Sequence, residues 1–512
     1  MSKKAWSAGY TSDITYTHGY YGELNPCYAD FVIRLAGFAV PPISNACELG
    51  FGQGVSLNVH AAASDISWWG TDFNSVQANF AKELANSADS GCNIFDQSFS
   101  EFLSNDQLPN FDFIGLHGIW SWVSRENRDI LVEFIRRHLS VGGVLYISYN
   151  TFPGWSSFAP LRQLMNDHFE TLGSEGGGVV SRIDSALEFA HQLLESNPRY
   201  LKINPSMEER LKTIREQKRE YLAHEFFNRD WNPMYFSELA KSLTDIRLDY
   251  VASANLLDRV DVVNLSEDQR KLLDSIPNRM LRETARDFMF NQQFRRDYWI
   301  KGARQLTKYE QVRQQRELEV VLITHPSDIE LKVTGVAGEA KLQEGVYNPL
   351  IELLQGQKVM RLGDLHESLA SKNIAFGTIL EATMILAAKG YLSPVAKHKG
   401  AITRDATRKL NTYLMDYALS SPDITFLASP ITGGGIKVGR FEQMFLRSRA
   451  QGKKTSDEWA RDAWATLAQQ GERLLKDGTV LDTEEKNLLE LTAQAKSFSE
   501  KGLNLCVGLG LA

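Results

Sequence analysis

Glu48-Leu49-Gly50-Phe51-Gly52-Gln53-Gly54 is the stretch from which the fold is read. It lies between a short apolar strand at 46–49 and a helix at 55–63. Glycines at a strand-to-helix junction let the backbone turn tightly and let a ligand approach the main chain. Such turns are common, so the residues around this one decide what it holds. Asp72 ends a second strand, 66–71, at the place where a carboxylate accepts hydrogen bonds from a ribose diol. Phe73 follows it. Asp96 follows a third strand at 93–95, where an acid either caps a helix or meets an adenine amine. The acidic Glu48 ahead of the glycines suits a ligand that brings an ammonium rather than a phosphate. The GxxxxGK[ST] lysine that would cradle nucleotide phosphates is missing.

The alternation continues outward. A helix at 75–86 carries Val76, Phe80 and Leu84 at intervals of four, followed by strands at 111–116 and 144–149 around a helix at 130–139. Repeated strand–helix–strand units of this length predict a parallel sheet with right-handed crossovers. Ligands of such sheets bind outside the carboxyl ends of the strands. Glu48, the three glycines, Asp72, Asp96, His117 and Asn150 all fall at those ends. Trp120, Trp122, Tyr149, Phe152 and Trp155 follow strands four and five. Aromatic faces there can hold an alkyl stem or a methylated ammonium, or stack on a sugar. Burial in the core is the alternative.

Residues 157–230 read as a helical insertion, with a glycine run at Gly176, Gly177 and Gly178. Strand character returns at 248–255 and 294–300, which can complete the sheet. Past 302, segments 317–324 and 329–333 read as a hairpin. Helices at 346–354, 362–371 and 376–389 and a strand at 391–395 then give a winged-helix outline. The helix at 376–389 is apolar except for Lys389, and phosphate contacts need several basic residues, so it suits a protein contact. The end of the chain is mostly helical and charged, interrupted by a glycine-rich turn at 429–439.

The 512 residues exceed what one core accommodates. The net charge of -7 argues against nucleic acid as the main partner. Cys27, Cys47, Cys92 and Cys506 form no CxxC pair and read as reduced thiols, and the ten histidines show no metal-ligand spacing. The first residues lack the apolar run of a secretory signal. No apolar stretch reaches the ~18 residues of a membrane span. The expectation is a cytoplasmic protein.

The E-L-G-x-G-x-G stretch resembles the first motif of class I S-adenosylmethionine-dependent methyltransferases. His117-Gly118-Ile119-Trp120-Ser121-Trp122-Val123 and the run from Tyr146 through Tyr149-Asn150-Thr151-Phe152-Pro153-Gly154 to Trp155 resemble two further stretches of one subfamily. That subfamily is the bacterial methyltransferases with an appended regulatory domain, among them protein-lysine methyltransferases acting on surface proteins. His224-Glu225-Phe226-Phe227-Asn228 and Trp231-Asn232-Pro233 resemble the regulatory region, and the run from Ala428 to Gly435 resembles longer members.

The resemblance implies an α/β, Rossmann-like catalytic domain over 1–303, holding the insertion and a regulatory region at 221–302. After it come a winged-helix-like domain over 304–400 and a mostly helical domain over 401–512. It implies S-adenosyl-L-methionine as cofactor, bound by Glu48, Gly50, Gly52, Gly54, Asp72, Phe73, Asp96 and His117. His117, Tyr149 and Asn150 are the expected catalytic residues, and Tyr21, Trp120, Trp122 and Trp155 the acceptor-binding ones. Residues 10–26, with Tyr16, His18, Tyr20 and Tyr21, are expected to fold over the cofactor. The reaction would move a methyl group from a sulfonium to a lysine side chain of a protein, or alternatively to a saccharide or other small molecule. The intact glycine motif and Asp72 argue against a non-enzymatic binding module. A homodimer is left open.

Overall fold

The computed structural model describes residues 17–173, 178–397 and 400–512. Seven strands form its central sheet: β1 (Asn45–Leu49), β2 (Ser67–Thr71), β3 (Asn93–Phe95), β4 (Phe111–Leu116), β5 (Leu139–Asn150), β6 (Leu248–Ser253) and β7 (Phe294–Lys301). Their order is β3-β2-β1-β4-β5-β7-β6. β1 to β5 pair in parallel. β7 runs antiparallel between β5 and β6, from Val144↔Ile300 to Asn150↔Phe294 on the β5 side. The two late strands therefore complete the sheet begun before the insertion, as the sequence suggests. Strands buried on both faces read as continuous apolar runs, and Phe113-Ile114-Gly115-Leu116 and Val144-Leu145-Tyr146-Ile147 do so.

Five helices flank the first five strands: α1 (Pro26–Leu35), α2 (Val55–Ala63), α3 (Ser75–Ala88), α4 (Phe99–Leu103) and α5 (Arg125–His138). Asn25 caps α1, accepting from Cys27 N–H at 2.9 Å ahead of a proline at the first helical position. Asn74 caps α3, and Ser98 with Glu101 forms a capping box on α4. α2 is buried along its whole length, polar Ser56, Asn58 and His60 included. Its outer side, Val55, Val59, Ala62 and Ala63, shares one core with Leu410 and Leu414 of the helix Ala401–Tyr417 and with Leu427 and Ala428. The C-terminal helices thus cover a face of the sheet layer.

The insertion contains helices Ala159–Thr171, Gly178–Glu195 and Met207–Arg215, with a core of its own around Met165, Ile183, Leu187 and Leu211. Gly178 opens the second of these; Gly176 and Gly177 lie outside the described residues.

Beyond β7 one expectation is corrected. Glu319–Leu322 does not form a hairpin with the next segment of the chain. It is the centre of a three-stranded sheet, antiparallel to Met360–Arg361 and Leu392–Pro394. Val320, Val321 and Leu322 are all fully buried, and a strand apolar on both faces belongs inside a sheet. The hairpin falls later, Lys332–Gly335 with Gly338–Lys341, in largely polar sequence. Helix Phe376–Ala388 is apolar because it is core: Ile379, Ala382, Ile385 and Leu386 join the cluster that holds Val251, Leu256 and Tyr298 of the main sheet region. Among the described residues, no helix is long and apolar enough to cross a membrane.

Candidate active site

Gly50, Gly52 and Gly54 have φ of +73°, +57° and +69°, the left-handed region that glycine enters without strain. A Cβ on Gly50 would sit 2.4 Å from Ile119 Cδ1, and one on Gly54 2.5 Å from Ala81 Cβ. Two carboxylates flank this turn. Asp72 accepts from Gly52 N–H at 2.9 Å and from Asn74 N–H at 3.0 Å, so the second strand's acid clasps the glycine turn directly. Burial pushes its pKa up to about 6 despite those two bonds. Glu48 is 4% exposed, and its Oε2 has no hydrogen-bond partner. Burial, reinforced by the charge of Asp72, pushes Glu48 up to about 8.

Both acids line a cavity of about 450 Å³ outside the carboxyl ends of β1, β2 and β4. Its wall includes Gly50, Gly52, Phe73, Gln97, Ser98, His117, Ile119 and Trp122. Glu126 and Asp230 bring its carboxyl groups to four, and among the described residues no Lys or Arg lines it. Thr17, Gly19 and Tyr21 of the N-terminal segment form the remaining side. The Tyr21 ring lies on His117 with centroids 3.6 Å apart. His117 Nδ1 is 2.8 Å from the Tyr146 hydroxyl, and Gly118 N–H donates to Ser148 Oγ at 2.8 Å, so β5 fixes the end of β4. Burial pushes His117 down to about 4, which leaves its imidazole neutral at physiological pH.

Several expected residues lie elsewhere. Asp96 is exposed and off the cavity, and Ser75 Oγ donates to it at 3.4 Å. Thr71 Oγ1 holds the carbonyl of Gln97 at 2.6 Å, and that turn brings Gln97 and Ser98 to the wall instead. The Tyr149 hydroxyl donates to Asp297 Oδ2 at 2.9 Å inside the core. Arg295 Nε donates to the same oxygen at 2.9 Å, and Arg295 also donates to Asp287 at 2.6 Å and to the Tyr250 hydroxyl at 3.1 Å. Asn150 is buried off the cavity, its N–H donated to Ser121 Oγ at 2.8 Å. Neither residue lines the cavity.

The tryptophans divide. Trp120 is 3% exposed in the core, its Nε1–H on Met234 Sδ. Trp155 donates to Gln293 O at 2.7 Å, packs edge-on to Trp231 and carries Arg210 over its face, among the insertion helices. Only Trp122 of the three reaches the cavity. Trp120–Trp122 is a single 3-10 turn, in which positions two apart are rotated by about 240°, so the two rings leave in different directions. Tyr16 lies outside the described residues. Glu126 and Asp230 were not anticipated: Glu126 sits in the first turn of α5, where an acid reads as a helix-end charge. Among the described residues no three His, Cys, Asp or Glu side chains gather as a metal site.

Comparison with known proteins places this architecture. Residues 218–301 match the family described as "Predicted methyltransferase regulatory domain". Those residues supply β6 and β7, so the matched region is part of the sheet. The uncharacterized protein sll1526 of Synechocystis sp. is 37% identical over 513 residues, covering 99% of this chain and all of the relative. The uncharacterized protein RP789 of Rickettsia prowazekii is 28% identical over 300 residues, 55% of this chain and 51% of that one. Among solved structures, PKMT2 from Rickettsia typhi in complex with AdoHcy superposes with a TM-score of 0.71 at 18% identity, over 97% of this chain and 100% of that chain.

Proposed function

The chain belongs to the family of Synechocystis sll1526, and from that premise and the geometry of the site we propose that it is an S-adenosylmethionine-dependent methyltransferase acting on lysine side chains of a protein. The observation that carries the reading is the acidic lining of the cavity: four carboxyl groups, one of them Glu48 with a buried oxygen that has no hydrogen-bond partner, no Lys or Arg among the described lining residues, and in His117 an imidazole held neutral. Phosphate-bearing dinucleotides would be repelled there. A ligand with an ammonium and a sulfonium is attracted. The solved structure with the same fold holds AdoHcy, and its name marks a protein lysine methyltransferase.

In this reading Gly50 and Gly52 would leave room for the cofactor's amino-acid end, Glu48 would face its ammonium, and Asp72 would accept from its ribose hydroxyls. Phe73, Gln97 and Ser98, on the same wall, would flank its base. When bound, the group supplies an activated methyl on a positively charged sulfur. The rest is alignment and exclusion of water by the chain itself. Tyr21 and Trp122 close the acceptor side. His117 is a poor base for a lysine whose unperturbed pKa is near 10.4, because its own has fallen to about 4. Its neutrality has another use: a charged imidazole on this wall would repel a sulfonium held in the same cavity. A lysine amine would have to lose its proton before attack, and desolvation on entering the cavity favours its neutral form. The four cysteines are free, which suits the reducing cytoplasm where we place the protein.

The test is incubation of the purified protein with methyl-labelled S-adenosylmethionine and fractionated cell extract. Label on lysine in a protein fraction is the expected result. Label confined to glycans or small molecules would overturn the acceptor, and no transfer with no binding would overturn the activity.

A further inference from the structure

The run Ser429-Pro430-Ile431-Thr432-Gly433-Gly434-Gly435 lies far along the chain from the cavity yet meets its wall. The hairpin Phe426–Ser429 with Gly434–Lys437 packs against the N-terminal segment that closes the cofactor cavity. Contacts along that segment alternate. Thr17, Gly19 and Tyr21 line the cavity. His18 and Tyr20, between them, contact the C-terminal part. The Tyr20 hydroxyl accepts from Gly435 N–H at 2.7 Å and lies 3.1 Å from His60 Nε2, and its ring is 4.8 Å from Phe426. His18 sits edge-on to Phe80 at 5.2 Å and 3.8 Å from Asp423 Oδ2. Asn25 Nδ2 donates to Thr432 O at 3.3 Å.

The glycines make this contact possible. Gly434 and Gly435 do not have positive φ, so backbone freedom does not explain them. Space does. A Cβ on Gly434 would come within 2.6 Å of both Asn25 Nδ2 and the Tyr20 hydroxyl, and one on Gly435 within 2.9 Å of the Tyr20 ring. Tyr21 N–H, the next residue, donates to Ser56 Oγ of α2 at 2.8 Å, which fixes the chain on its way to His117.

We propose that Tyr20, Gly434 and Gly435 are positioning residues of the cofactor site: the C-terminal hairpin grips Tyr20 and so sets Thr17, Gly19 and Tyr21 against the cavity. The inference rests on the reading of that cavity as the S-adenosylmethionine site. The C-terminal part then contributes to cofactor affinity as well as to whatever it does for the acceptor.

The test uses the full chain, with S-adenosylhomocysteine as probe in calorimetry and ligand-free thermal unfolding alongside. Tyr20→Phe keeps the ring and removes only the hydroxyl, so it folds. It should weaken binding about three- to tenfold, the range of one hydrogen bond. Gly435→Ala should weaken it at least as much. In the Tyr20→Ala background Gly435→Ala should add nothing, because the atoms it strikes are gone. Ligand-free melting should follow a different order from affinity, since a merely structural contact would move melting and leave affinity alone. Wild-type affinity in Tyr20→Phe, or additive losses in the double variant, overturns the proposal; should Gly435→Ala not fold, Tyr20→Phe decides. A wild type that fails to bind the probe overturns the cofactor reading together with this one, whereas a binding wild type with unaffected variants overturns this one only.

Discussion

Glu48 and Asp72 are carboxyl groups that folding makes harder to ionise. Both pKa values rise on folding, to about 8 and about 6, chiefly through burial. The unfolded carboxyl groups titrate near 4. A carboxyl raised in the fold contributes stability that is full below the unfolded value and is lost as pH rises through the folded one. The ligand-free melting temperature should therefore fall between about pH 5 and pH 8, and Glu48→Gln should flatten that fall. A wild-type profile that rises over this window, measured by scanning fluorimetry, would contradict the assignment. Affinity for the cationic cofactor should run the other way, strengthening with pH as Glu48 ionises. Asp72→Ala removes both the proposed ribose acceptor and the clasp on Gly52 N–H. Charged hydrogen bonds are worth about 1.5–3 kcal/mol, so calorimetry should show a loss of about ten- to a hundredfold. The glycines, Glu48 and Asp72 were legible in the sequence because strand, turn and helix fix their spacing. Spacing alone does not show that the turn after β3, held by Thr71 on the Gln97 carbonyl, brings Gln97 and Ser98 rather than Asp96 to the cavity.

At the scale of elements, the motif residues after β4 and β5 divide into wall and scaffold. Tyr149 ties β5 to Asp297 of β7 and, through Arg295, to Asp287 of the helix Arg279–Phe290. Tyr149→Phe should leave one acceptor site of a buried carboxylate unfilled, at about 1–3 kcal/mol, and lower melting with little change in turnover per folded molecule. A large turnover loss at unchanged melting would restore a catalytic role. Trp120→Ala should cost about 3–5 kcal/mol and damage everything together. Trp122→Ala should in addition raise the acceptor Michaelis constant, because this residue lines the cavity. Methyl transfer, cofactor affinity and melting measured on the same preparations separate these cases. A sequence places all of these aromatics at one sheet edge; it does not show the rotation of a 3-10 turn or the registry of β5 on β7, and those decide which ring meets solvent.

In the whole molecule the central sheet is joined to the C-terminal helices through a shared core. α2 reads Val-Ser-Leu-Asn-Val-His-Ala-Ala-Ala, apolar around most of its circumference. A helix of that kind is covered on all sides. The sequence thus announces a covering without naming it; the structure supplies Leu410, Leu414 and Leu427. A chain cut after Lys301 would expose Val55, Val59, Ala62 and Ala63 to water, so it should aggregate or melt well below the full chain. A soluble truncation with wild-type affinity for the cofactor would show that this packing matters little.

The covering of α2 also has a consequence in time. Ribosomes add about 5–20 residues per second, so tens of seconds separate the synthesis of the glycine turn from that of the helices that shield it. Throughout that interval the nascent sheet carries a bare apolar helix, a ready target for holding chaperones. A stop codon just ahead of residue 401, far along the message from the glycine motif, would then leave α2 without the residues that cover it.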